Sequence, residues 1–223
     1  MPNNVRVWDL PTRLFDWALA ACVVALVTTG YIGGGLMDWH ARLGYAVLAL
    51  LLFRMIWGFV GGRWSRFVSF FYSPRSVIAY LRGQAHPDHL VGHNPLGAGS
   101  VFAMLLLLLA QVGTGLVSDD EISFTGPLNR FVETSKGLAA TWYHKQIGQW
   151  VVIGLVVLHV AAILFYLWKK RDNLISAMLK GDKQVAHAAP SSRDDALTRL
   201  GALVLLGLCA AAVTWLVGLR SPG

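Results

Sequence analysis

The chain has 223 residues and a formal net charge of +7, with 55% hydrophobic and only 14% charged side chains. That balance excludes an ordinary soluble domain, in which about a quarter of the residues are charged. A membrane span needs roughly 20 mostly apolar residues, and the apolar residues here form five blocks near that length. They cover approximately residues 17–36, 43–60, 96–117, 142–168 and 197–219. The sequence therefore predicts an all-α integral membrane protein with five transmembrane helices.

The connections between these spans are short and polar. Ser73 and Pro74 are typical of a helix N-cap and first turn, which predicts a short interfacial helix ending near Arg82. No segment shows the alternating pattern of a β-strand, and residues 181–195 are polar enough to predict a mobile linker. We therefore expect one membrane domain over residues 1–180, followed by the linker and the fifth helix over residues 181–223.

The basic residues are distributed unevenly between the two sides of the predicted bundle. If the N-terminus is cytoplasmic, thirteen Lys and Arg residues lie on the inner side and five, including Arg220, lie on the outer side. Cytoplasmic loops of membrane proteins carry such an excess. The pattern predicts a bacterial inner-membrane protein with a cytoplasmic N-terminus and a periplasmic C-terminus. It also explains the net charge without a nucleic-acid partner.

Three of the seven histidines lie at or within spans: His40 begins the second, and His144 and His159 lie on the fourth. Ionisable side chains inside a membrane usually face the bundle interior and mark functional sites, and imidazole is an axial ligand of haem iron. The 15 residues between His144 and His159 correspond to roughly 22 Å along an α-helix. One helix thus offers an imidazole near each membrane face, and His40 shares the outer face with His144. These positions favour haem ligation.

The simpler interpretation of such histidines is an interfacial polar residue, and His144 alone would support nothing more. His159 differs because apolar residues surround it, where an unpartnered imidazole is costly. A further cluster, His86, His89 and His93, lies in the loop after the second span. Its spacing matches no common zinc pattern and no cysteine joins it, so we expect a solvated loop there rather than a metal site.

Six segments resemble the bacterial cytochrome b561 family, which includes the b-type cytochrome subunits of membrane nickel–iron hydrogenases. The similarity extends from residue 5 to about residue 180. The segments are Val7–Phe15, His40–Tyr45, Leu52–Gly58, Ser73–Arg75, Gly92–Gly97 and Leu158–Ala162. The resemblance implies a four-helix haem-binding bundle, to which the fifth helix is an addition.

The resemblance also implies two b haems and their ligands. The outer haem would lie between His40 and His144. The inner haem would lie between His159 and a helix-one histidine, but this chain has Asp16 at that position. Carboxylate binds ferrous haem more weakly than imidazole, so the inner site is five-coordinate, uses another group or holds no haem. Arg54, deep in the second span, could pair with an inner-haem propionate, pair with Asp16, or reach the inner interface.

These features predict a haem b protein that transfers electrons between membrane quinone and a redox partner. Hydrogenase-like subunits are one partner class. A c-type cytochrome is another, since Asp119, Asp120 and Glu121 could dock it, although a solvated loop is the favoured interpretation of these acids. The alternatives are a superoxide:quinone oxidoreductase and a non-redox anchor or assembly subunit. Whether the chain is an enzyme, as part of a quinol/quinone oxidoreductase, the sequence does not decide.

Overall fold

The computed structural model describes residues 3–122 and 124–219, so Ser123, Arg220 and the terminal Gly223 lie outside it. Within the described residues, five helical segments are long and apolar enough to cross a membrane. They are Leu10–Ile32, Gly34–Val60, Pro95–Val117, Thr134–Lys170 and Ala196–Gly218. Many of their large apolar side chains are exposed, which suits contact with lipid. The predicted all-α, multi-pass membrane fold is confirmed.

The regular elements are two short strands and eight α-helices in the described residues. The strands are β1 (Asn3–Arg6) and β2 (Asp182–Val185). The helices are α1 (Leu10–Ile32), α2 (Met37–Val60), α3 (Pro74–Leu81), α4 (Pro95–Val117), α5 (Thr134–Tyr143), α6 (Gln149–Phe165), α7 (Leu174–Lys180) and α8 (Ala196–Gly218). A π-helical turn, His144–Gly148, joins α5 to α6, and a second one, Tyr166–Lys170, follows α6.

Three spans begin earlier than their hydropathy predicts: the first at Leu10, the second at Gly34 and the fourth at Thr134. Helix α1 begins at Leu10 because the Asp9 carboxylate accepts a hydrogen bond from the Thr12 amide at 2.8 Å and so caps the first turn. The fourth span begins at Thr134, in a polar stretch that hydropathy does not mark. The predicted interfacial helix is present as α3. Ser73 Oγ accepts from the Ser76 amide, and Pro74 occupies the first turn.

The expectation of no strands and a mobile linker is wrong. Strand β1 pairs antiparallel with β2, with Asn3 opposite Val185 and Arg6 opposite Asp182. Ser192, further along the linker, is buried, and its amide donates to the Arg6 carbonyl at 2.7 Å. Sequence patterning missed this pairing because it joins two distant segments, neither of which alternates. The division of the chain at residue 180 stays a prediction.

The described chain forms two compact units. The first contains residues 3–16, 54–103 and 158–204, and the second contains the remaining described residues. The core of the first unit includes Val7 and Trp8, packed with Trp64. In the second unit, Val213 of α8 packs with Leu48 of α2 and Leu116 of α4, so the fifth membrane helix contributes to that core.

Candidate haem site

His40 lies in the first turn of α2, in the second unit. Its Nδ1 is 3.0 Å from the Leu26 carbonyl oxygen and 3.3 Å from the Thr29 hydroxyl oxygen, both on α1. A carbonyl oxygen only accepts, so the proton of the neutral ring resides on Nδ1 and the Nε2 lone pair is available to a metal. Gly30 makes room for this contact, since a Cβ there would lie 3.2 Å from His40 Cε1.

Helix α4 provides His144 with the same kind of contacts that α1 provides for His40. Its Nδ1 is 2.9 Å from the Gln111 carbonyl oxygen and 3.2 Å from the Thr114 hydroxyl oxygen. A Cβ at Gly115 would lie 3.2 Å from His144 Cε1. His144 begins the π-helical turn, a local widening that is frequent at functional sites. As in His40, the proton of the neutral ring resides on Nδ1, and the Nε2 lone pair is available to a metal.

The structure brings His40 and His144 together. Their ring centroids are 6.1 Å apart and their planes are inclined at 76°. A metal–imidazole bond is about 2 Å long and the ring centre lies about 1.2 Å beyond the nitrogen, so two imidazoles on one metal ion have centroids about 6.4 Å apart. The observed separation is close to that value.

A cavity of about 390 Å³ is lined by both histidines and by both glycines that pack against them. Its remaining lining is mostly apolar, with Lys145 among the few polar side chains, which is typical of cofactor pockets. Two imidazoles, an apolar lining and one cation suit a flat macrocycle that carries carboxylates. The residues present therefore fit haem b.

His159 and Arg54 both belong to the first unit. His159 Nδ1 is 3.3 Å from Ser100 Oγ. Arg54 is only 2% exposed, so its guanidinium does not reach a surface as the interfacial alternative requires. It donates to the Ser65 carbonyl at 3.1 Å and lies 4.9 Å from the centre of the Phe67 ring.

Asp16, at the position of the missing helix-one histidine, also belongs to the first unit. Among the described residues, no carboxylate lies within ion-pair distance of Arg54, and Asp16 makes no hydrogen bond or ion pair. Asp16 nevertheless lies close enough to Arg54 for a Coulombic interaction, although no hydrogen bond or ion pair joins the two side chains. Arg54 has capacity for another anion.

His93 is not solvated as we expected from its loop. Its ring packs at a tilt against the rings of Trp8 and Phe70, with centroid separations of 4.6 and 4.5 Å. Its Nδ1 is buried and has no hydrogen-bond partner among the described residues. Burial, together with the positive charge of Arg54, lowers the pKa of His93 to about 3, so the ring is neutral. The rings of Trp8 and Phe70, which lie far from His93 in sequence, exclude water from it.

His89 is half-buried, and its Nδ1 has no hydrogen-bond partner among the described residues, so it too departs from the expected solvated loop. His86 and His187 make surface contacts. His86 Nδ1 is 3.7 Å from an Asp88 carboxylate oxygen, and His187 Nε2 is 2.8 Å from the other. In the part of the chain that the structure describes, no group of three or more His, Cys, Asp or Glu side chains is arranged to hold a metal ion.

The family model for prokaryotic cytochrome b561 matches residues 7–181. The chain belongs to the prokaryotic cytochrome b561 family. Its relatives include probable Ni/Fe-hydrogenase B-type cytochrome subunits. That of Bradyrhizobium diazoefficiens is 26% identical, over 81% of this chain and 86% of its own length. That of Azotobacter chroococcum mcd 1 is 28% identical, over 79% of this chain and 87% of its own length. The probable Ni/Fe-hydrogenase 1 B-type cytochrome subunit of Escherichia coli K12 is 26% identical, over 78% of this chain and 88% of its own length. No solved structure matches the chain.

This b561 cytochrome is therefore a membrane b-type cytochrome that works in electron transfer, and haem b is the cofactor that its family implies. One-electron chemistry belongs to the haem iron, while the protein supplies ligands, hydrogen bonds and a dry environment.

Sequence reasoning missed the side chains that support the two histidines of this cytochrome. The signal was present as a repeated dipeptide, Thr29–Gly30 on α1 and Thr114–Gly115 on α4. In each case the carbonyl three residues before the threonine accepts from the histidine, and the glycine admits its ring. The two dipeptides lie in different spans and contact different histidines. Their shared role can therefore be recognised only when the contacts with the histidines are known.

Proposed function

We propose that this b561 cytochrome holds haem b between His40 and His144 and passes electrons between membrane quinone and a redox partner. The observation that carries the proposal is the pair of imidazoles 6.1 Å apart, each with its Nδ1 on a backbone carbonyl. Such hydrogen bonds behind a ligand orient it and fix its tautomer before a metal binds. The pairing favours a redox role over an anchor subunit that has lost its haem chemistry.

Residues around the pair have distinct tasks in this proposal. The Leu26 and Gln111 carbonyls orient the two rings through bonds of 3.0 and 2.9 Å. A hydrogen bond from imidazole to carbonyl also makes the ligand more basic, which stabilises the oxidised iron. Lys145, which lines the cavity, supplies a cation for a haem propionate.

The first unit provides the residues for a second, inner haem. His159 is its proposed ligand, and Arg54 is the proposed partner of a propionate, because the buried guanidinium has no carboxylate in ion-pair contact among the described residues. Asp16 replaces the opposing histidine. We therefore propose that the inner site is not a bis-histidine haem of His159 with helix one.

The partner proposal rests on the relatives, which are named as probable hydrogenase cytochrome subunits. A hydrogenase-like redox subunit is favoured over a c-type cytochrome. The acidic outer loop has a structural explanation, since Asp119 accepts from the Glu121 amide at 2.9 Å and Asp120 accepts from the Phe124 amide at 2.8 Å. The predicted outer face carries about equal numbers of positive and negative charges, which gives superoxide no attraction.

Quinone is the proposed membrane-side redox partner, since it diffuses in the lipid that surrounds these spans. In the proposed setting, the bacterial inner membrane, the N-terminus is cytoplasmic and the C-terminus periplasmic.

Absorption spectroscopy of the purified protein in lipid vesicles tests the proposal. We expect dithionite to produce the sharp α-band of a low-spin b haem, and a quinol analogue to reduce the same haem. A protein without haem would support the anchor role. If superoxide reduces the haem and the quinol analogue does not, the result would support the superoxide reaction instead.

A further inference from the structure

The loop between α2 and α4 encloses a cavity that the haem sites do not use. Its volume is about 590 Å³, and it lies within the first unit. The polar side chains in its lining include two arginines, a histidine and the hydroxyls at the start of α3. They are Arg63, Arg66, Ser73, Ser76 and His89.

Two nitrogen atoms in this lining lack partners. Arg66 Nε and His89 Nδ1 are both buried, and neither has a hydrogen-bond partner among the described residues. Most buried polar nitrogens in folded proteins have a hydrogen-bond partner, and a nitrogen that no protein group satisfies commonly binds a water, an ion or a ligand. Two residues with such atoms in the lining of one cavity indicate a ligand that accepts hydrogen bonds.

The charges of the lining favour an anion. Neither Arg63 nor Arg66 forms an ion pair with a carboxylate in the described part of the chain. Asp88 also lines the cavity, but its carboxylate already binds His187 Nε2 at 2.8 Å. The positive end of α3 lies at Ser73 and adds to the favourable potential. A phosphate group, which arginine recognises with paired hydrogen bonds, matches this lining.

The rim of the cavity is apolar. Val68 and Phe71 belong to the lining and are 82% and 78% exposed. Ile78 and Leu81 of the neighbouring helix α3 are also exposed. Exposed apolar side chains beside a cationic cavity suit the boundary between lipid headgroups and acyl chains, where basic pockets bind anionic lipids.

We propose that this cavity binds a phosphate group, supplied by the headgroup of an anionic phospholipid. Arg63 and Arg66 hold the phosphate, His89 adds a hydrogen bond from Nδ1, the dipole of α3 adds to the favourable potential, and Val68 and Phe71 contact the acyl chains. The proposal does not depend on haem.

Native mass spectrometry of the purified full-length protein, titrated with phosphatidylglycerol, tests it. We expect bound phosphatidylglycerol in the wild type and at least tenfold weaker binding in Arg63→Gln/Arg66→Gln. Arg75→Gln/Arg82→Gln is the matched control, because it removes the same charge from exposed arginines of the same loop that do not line the cavity. The control should bind lipid as the wild type does.

Ser76→Glu is a second variant that retains both arginines and places a negative charge in the cavity. It should also lose the lipid while eluting from size exclusion as the wild type does. Titration with inorganic phosphate and with phosphatidylcholine distinguishes the sources. Binding of phosphate alone, abolished by the arginine variant, would assign the cavity to free phosphate and overturn the lipid source. Equal lipid binding by wild type, cavity variants and control would overturn the site itself.

Discussion

The carbonyl oxygen of Leu26 lies 3.0 Å from Nδ1 of His40, although the two residues belong to different membrane helices. The bond connects the backbone of α1 to a ligand candidate on α2, and Gln111 and His144 repeat it at 2.9 Å between α4 and the start of the π-helical turn. A backbone carbonyl cannot be removed by substitution, so the supporting bonds tolerate sequence change while the histidines do not.

The first prediction concerns the two histidines of the pair. His40→Ala or His144→Ala should remove the outer low-spin haem, because one imidazole cannot complete a six-coordinate iron, while the helices still insert. Haem-to-protein ratio and the low-spin spectrum measure the effect. His86→Ala, at an exposed loop position, is the control and should retain the haem. Unchanged haem content in both ligand variants would disprove the assignment.

The second prediction concerns the glycines that admit the rings. Gly115→Val or Gly30→Val should displace the histidine ring, since even the Cβ would lie 3.2 Å from its Cε1. We expect partial or complete loss of the low-spin spectrum at normal protein yield. Gly113→Val has the same helical cost, but a Cβ at Gly113 meets nothing within 4 Å, so its spectrum should match the wild type. Equal spectra for all three variants would show that the glycines do not position the rings.

The third prediction concerns the buried carboxylate of Asp9, which is 0% exposed. It accepts hydrogen bonds from the Thr12 and Gly62 amides and from Ser65 Oγ, at 2.8 to 2.9 Å. Asp9→Ala would leave these donors buried without an acceptor, at about 1–3 kcal/mol each, and the unfolding temperature in detergent should drop clearly.

The control for Asp9 is Glu133→Ala. It removes an exposed ion pair with Lys136, a type of contact that contributes about 0–1 kcal/mol, so it should change the unfolding temperature little. An Asp9→Ala protein as stable as this control would contradict the structural role of the carboxylate.

The fourth prediction concerns topology. A reporter that is active only in the periplasm, fused after Gly223, should be active, and the same reporter fused after Gly83 should be inactive. The reason is that thirteen basic residues lie on the predicted inner side and only five lie on the outer side. Gly223 lies outside the described residues, so the prediction rests on sequence alone. Activity with the opposite pattern would reverse the assigned orientation.

The fifth prediction concerns Asp16. Asp16→His should create a bis-histidine, low-spin inner haem opposite His159, because imidazole is a better ligand than carboxylate for ferrous iron. Wild type should contain fewer than two low-spin haems per chain and the variant two, by haem stoichiometry and electron paramagnetic resonance. Asp38→His, at an exposed position on α2, is the control and should add none.

Two bis-histidine haems already present in the wild type would contradict the proposed inner site. They would assign the second ligand to another residue. His93 would then be the first to test, since its buried Nδ1 has no partner among the described residues and it lies within the electrostatic influence of His159.

The spans could be predicted because each depends on about 20 neighbouring residues and on lipid as solvent. The same locality explains why the Ser73 cap of α3 was predicted correctly. The apolar block of the first span begins at residue 17, whereas α1 begins at Leu10, because the Asp9 cap extends the helix into residues that hydropathy does not mark as membrane.

The order of apolar and polar residues was enough to identify an all-α membrane protein, and its motifs indicated the cytochrome b561 family. The folded chain was needed to show that His40 and His144 lie within reach of one metal ion, that β1 pairs with β2, and that the Nδ1 of His93 is buried. Each of these depends on contacts between residues far apart in the chain. Such contacts are selected by the packing of whole helices, and no local pattern of residues encodes them.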